Sequence, residues 1–163
     1  TDWDIRVIAM KKFKFQLETL LKVTRMKKEE AEVALGKASR KLEEARMGLE
    51  TLLAEMQKGQ QDYDALSQEG TRVTIGRLMS FNSFFAWKRE QIEMQQNILL
   101  QVRGEKQQKL KELMEVLSYL KSIEQLREKR LQEYKEDVLK EEQKMLDEIG
   151  LQLTTRRKVG EAS

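Results

Sequence analysis

Residues 31–49 read Ala31-Glu32-Val33-Ala34-Leu35-Gly36-Lys37-Ala38-Ser39-Arg40-Lys41-Leu42-Glu43-Glu44-Ala45-Arg46-Met47-Gly48-Leu49. Apolar residues return every three or four positions, and the residues between them are charged or small. Worked outward, the 4-3 spacing runs Leu17, Leu21, Thr24, Lys28, Ala31, Leu35, Ala38, Leu42, Ala45, Leu49, Leu52, Met56, Gly59, Tyr63, Leu66. Twelve of these fifteen positions are apolar or aromatic; Thr24, Lys28 and Gly59 depart. A repeat of 3.5 residues keeps one seam against a partner helix, which is the coiled-coil pattern. The alternating alanines let that partner approach closely.

Composition agrees. The 163 residues include no proline, cysteine or histidine, and 36% are charged. Interior proline removes a helix hydrogen bond and clashes with the preceding turn, so its absence suits a chain that is helical almost throughout. Without histidine or cysteine there is no His-ligated metal, no Ser-His-Asp triad, no thiol nucleophile and no disulfide framework. The carboxylates sit in Glu/Lys mixtures of solvated helix surface, and a two-helix protein encloses no catalytic pocket. No enzyme activity and no cofactor are expected.

Gly70 follows Glu69 where a helix stops, because glycine takes the left-handed cap conformation without steric cost. Thr74 then stands as N-cap for a second helix. Its seam reads Ile92, Gln95, Leu99, Val102, Lys106, Lys109, Leu113, Val116, Leu120, Ile123, Arg127, Leu131, Tyr134, Val138, Met145, with a four-plus-four stutter at Arg127 that locally unwinds a supercoil. The expected architecture is all-α: helix 15–69, turn 70–75 and helix 76–153, folded as an antiparallel coiled-coil hairpin. Folding back there places Leu52 near Met94, Leu35 near Leu110 and Leu21 near Leu126. Residues 1–9 read as a leader or non-native remnant before Met10, and 154–163 as a tail; both are expected to be disordered.

The net charge of +3 divides into +5 over residues 1–28 and −2 over the rest. Aromatics are not interleaved with basic groups in a nucleic-acid module, so no nucleic-acid partner is expected. No apolar run is long enough to span a membrane, and cytoplasmic placement is expected. Four aromatics fall within seven residues after the turn: Phe81, Phe84, Phe85 and Trp87. Two readings stand side by side. The cluster closes the hairpin against Tyr63 and Leu66, or it is an exposed anchor for a partner; both hold if Phe81 and Phe85 face inward while Phe84 and Trp87 face outward. Phe13 and Phe15, with Leu17, Leu20 and Leu21, form a second apolar cluster, and Leu146 and Ile149 a third near the other end.

The opening Met10-Lys11-Lys12-Phe13-Lys14-Phe15-Gln16-Leu17-Glu18-Thr19-Leu20-Leu21, the alanine-rich heptads, the turn near Gly70 and the aromatic segment after it together resemble the FliJ family. Members of that family are small components of the bacterial flagellar type III export apparatus. The resemblance implies a coiled coil similar to the central stalk of rotary ATPases. It implies binding to the hexameric export ATPase, to the export-gate membrane protein and to export chaperones, at the inner membrane of the flagellar base. The family's gate-contacting face falls on Phe84, Lys88, Gln91 and Gln95, with Leu52 on the first helix and Trp87 as an exposed anchor. The ring-facing tip falls on Phe13, Phe15, Leu17, Leu20, Leu146 and Ile149. A monomer is expected. The alternatives are a parallel homodimeric spacer, the equivalent stalk of a virulence-type secretion system, or an amphipathic membrane-surface helix; the narrow seam argues against the last.

Overall fold

The computed structural model describes residues 13–68 and 72–162. Two helices account for nearly all of them: α1, Glu18–Gln68, of 51 residues, and α2, Ile75–Ala162, of 88. They pack against each other as an all-α helical hairpin, with no strand among the described residues. Residues 1–9 and the predicted stop at Gly70 lie outside the described residues. The start of α2 is legible at atomic detail. The Thr74 hydroxyl accepts a hydrogen bond from the Arg77 amide at 3.3 Å, satisfying a donor that the first helical turn leaves open.

The chain divides into two compact units. The terminal unit joins the start of α1, through Met26, to α2 from Leu117 onward. Its core is Leu21, completely buried, with Leu120 and Ile123; Phe15 and Leu20 pack on them. Ion pairs flank this core, Glu18 with Arg127 at 3.2 Å and Arg25 with Glu124 at 3.5 Å. Rising numbers on α1 meet falling numbers on α2, so the pairing is antiparallel. Thr24, a polar seam residue, is buried and donates its hydroxyl to the Leu20 carbonyl at 2.7 Å. That back-bond satisfies the group without leaving its own helix.

The middle unit comprises residues 27–116. Ala38, Leu42 and Ala45 of α1 and Leu113 of α2 are its buried apolar residues. They stand on the 4-3 seam at the predicted positions, and the rest of the predicted seam here is at least half-buried. The antiparallel order is fixed by Glu55 with Lys88 and by Gln95 with Ala45.

Two expectations are corrected. Met94 and Leu110 stand within about a turn of the level expected opposite Leu52 and Leu35 but point outward, and the direct neighbours of Leu21 are Leu120 and Ile123, the latter one turn before Leu126. Level along the helices follows from where the chain folds back, whereas the direction of each side chain follows from the 4-3 seam, on which Met94 and Leu110 do not stand. Secondly, α2 continues through 154–162, where a disordered tail was expected. Nothing there stops a helix. Proline is absent, Thr154 and Thr155 bond back to the Gly150 and Leu151 carbonyls at 2.8 and 2.9 Å, and Arg157 pairs with Glu161 one turn on. Every residue in this stretch is exposed, so local terms alone hold it.

Candidate partner-binding surfaces

In the middle unit the aromatic segment folds onto Tyr63. Its ring meets Phe81 and Phe85 edge-on, with centroids 5.5 and 6.3 Å away, while Phe81 and Phe85 stack on each other at 6.3 Å. Phe84 joins through an edge contact to Phe85 at 5.6 Å. These are the offset and T-shaped arrangements that aromatic quadrupoles favour.

Gly59 is the counterpart of Phe84. A Cβ built on Gly59 would lie 2.4 Å from Phe84 Cε1, closer than real atoms approach. The ring therefore lies directly over the α1 backbone, a place only glycine leaves open. Beside it a shallow groove of about 370 Å³ is lined by Gly59, Asp62, Arg77, Ser80, Phe81 and Phe84. Gly59→Ala is expected to destabilise the protein by about 1–3 kcal/mol through overpacking, despite the gain in helix propensity. Gly36 and Gly104 have open space where a Cβ would go. Their alanine variants should instead stabilise by about 1 kcal/mol. Urea unfolding of the three variants checks the opposite signs.

Lys88 is 6% exposed, an unusual position for a lysine. Its ammonium bonds the Glu55 carboxylate and lies 5.7 Å from the Phe84 ring centroid and 5.0 Å from that of Trp87. A carboxylate and two ring faces thus replace its water. Gln95 donates from Nε2 to the Ala45 carbonyl at 2.9 Å, close above Gly48. Gln91 Oε1 is buried with no hydrogen-bond partner among the described residues.

The stripe Phe84–Lys88–Gln91–Gln95 is thereby located. It is the N-terminal continuation of the α2 seam and turns toward α1, where Leu52 is also half-buried. Phe84 is half-buried together with Phe81 and Phe85, so the expectation that it faces outward is corrected; Gly59 draws it in. Trp87 does face outward, at 54% exposure, and Met94 and Ile98 follow it on the exposed side of α2. The sequence reading missed Lys88 as a buried residue. The signal was present, because Lys88 stands seven residues before the seam position Gln95.

In the terminal unit, Phe13 lies against Tyr134 at 5.4 Å between centroids. An apolar groove of about 420 Å³ opens among Phe13, Leu131, Tyr134, Lys135, Val138, Leu139 and Glu142. Of the residues expected at a ring-facing tip, Phe15 and Leu20 pack on the Leu21 core, and Leu17 lines a second groove together with Phe13 and Phe15. Leu146 and Ile149 are exposed on α2. Phe13, Phe15, Leu17 and Leu20 are thus brought together, and Leu146 and Ile149 stand farther along α2.

The family model for the flagellar FliJ protein matches residues 13–159, nearly the whole chain. The chain belongs to the FliJ family. No curated protein and no solved structure matches it. FliJ-family membership makes the chain a component of the flagellar export apparatus. Among the described residues no helix is long and apolar enough to cross a membrane.

Proposed function

We propose that this FliJ-family chain couples the export ATPase to the export gate. The reading assigns the ring-facing role to the terminal unit, through Phe13, Phe15, Leu17, Leu20, Leu146 and Ile149. It assigns the gate contact to the middle unit, on the face built from Phe84, Lys88, Gln91, Gln95 and Leu52, with Trp87 as its outward anchor. Assistance in cycling substrate-free export chaperones belongs to the same reading, as does peripheral association with the inner membrane.

The observation that carries it is the aromatic face. An indole more than half exposed is held over a buried lysine, beside a groove floored by a glycine. Solvated helix surfaces do not need such an arrangement, whereas binding anchors are typically aromatic and rigidly supported. Lys88, Gln91, Gln95 and Leu52 shape this face from within, and Trp87 and the edge of Phe84 meet the partner.

Two experiments test the two halves. Adding the purified chain to the export ATPase should promote ring assembly and raise hydrolysis; no change in either would remove the ring contact. For the gate, Trp87→Ala should weaken binding at least tenfold, about 1.4 kcal/mol or more, with little change in melting temperature. Phe84→Ala should lower both, since its ring also packs on Gly59. Unchanged gate affinity in Trp87→Ala would withdraw the anchor.

A further inference from the structure

The last third of α2 carries a second seam that no part of α1 covers. Leu139, Glu142, Leu146, Ile149, Leu153 and Arg156 follow one another at steps of three and four, a continuous stripe on one side of a helix. Its four apolar members are all exposed, by half to two-thirds of their surface. The stripe contains one acid and one base: Glu142 stands one layer in from its start, and Arg156 closes its far end.

From this placement we infer that the stripe is a self-association surface, on which a second copy of the chain lies antiparallel. In the antiparallel register each layer holds one residue of either step type. Leu146 then meets Ile149 of the second copy, and Glu142 meets Leu153. Leu139 meets Arg156, one layer, or roughly 5 Å, along from the facing Glu142. The guanidinium reaches that carboxylate on both sides of the two-fold axis, so one charge pair closes each end of an apolar centre. A parallel arrangement places Glu142 on Glu142 and Arg156 on Arg156, two like-charge layers, and is disfavoured. Charge selects both the occupant and its direction.

The surface includes Leu146 and Ile149, which the proposed function gives to the ATPase ring. Self-pairing and ring docking therefore exclude each other, and the free chain would hold its ring-facing residues covered until the ring competes for them. The test uses the full chain without the ATPase, so its result does not depend on ring docking.

Sedimentation equilibrium over a concentration series should show the mass rising from 19.2 kDa toward twice that value. Glu142→Arg alone, or Arg156→Glu alone, should weaken association at least tenfold, while circular dichroism shows the helix retained. The two changes together should restore it, because the pair is reversed rather than removed. A mass of 19.2 kDa at every concentration overturns the inference. So do single variants that associate like the parent, or a double variant that fails to recover.

Discussion

Leu21→Ala is expected to lower the stability of the protein by about 2–5 kcal/mol, the largest effect of any single change to the fold. Among the described residues Leu21 is the one large side chain with no exposed surface, and it is enclosed by Leu120 and Ile123 with Phe15 and Leu20 around them. Removing its branched end forfeits the transfer free energy of the deleted carbons and leaves a void. Two helices joined by a seam have few neighbours able to collapse into such a void. Guanidinium unfolding monitored by circular dichroism measures the loss. Amide exchange adds location, since protection should fall first around Leu21 and Leu120. A loss below about 1 kcal/mol would mean that the Leu21 cluster does not hold the terminal unit.

The second large effect is expected from Glu55→Ala. The change leaves the Lys88 ammonium buried beneath Trp87 and Phe84 without its carboxylate. Breaking a fully buried pair costs about 3–5 kcal/mol; Glu55 is itself about half exposed, which lets water reach the site and reduces the expected cost to about 1–3 kcal/mol. The informative comparison is the double variant Glu55→Leu with Lys88→Met. It replaces both charges by apolar groups of similar reach and should unfold within about 1 kcal/mol of the parent, or later. If Glu55→Ala were as harmless as the double variant, the ion pair would be a surface contact of no structural weight. Gate binding separates a further role: loss of affinity in the double variant despite intact stability would show that Lys88 orients Trp87.

Legibility followed the kind of information each feature carries. The buried face was readable because it needs only periodicity. Leu21, Ala38, Leu42 and Ala45 on α1, and Leu113, Leu120 and Ile123 on α2, are buried where the 4-3 spacing puts them. Thr74 was readable because a cap is a local device. The offset between the helices was readable to within about one turn, because placing the fold-back at Gly70 fixes which levels meet, and Glu55 with Lys88 and Glu18 with Arg127 keep close to that offset. Non-repeating pairs decide it: Phe84 fits only over Gly59, and the Gln95 amide reaches the Ala45 carbonyl. The inward turn of Phe84 was hidden, since a missing side chain on another helix is invisible from the aromatic segment itself. Lys88 was hidden by its charge, which hydropathy assigns to solvent although a carboxylate and two rings supply the lost hydration. The helical state of 154–162 escaped because a Thr-Thr-Arg-Arg-Lys run resembles tail composition, although it holds no proline and its threonine hydroxyls find acceptors within the helix.

That final stretch bears on how the protein is met by other molecules. A segment that is already wound when it collides with its receptor has given up most of its backbone freedom beforehand, so little ordering entropy is left to charge against the complex. Capture can then proceed at the speed of the encounter itself, with no folding step in between.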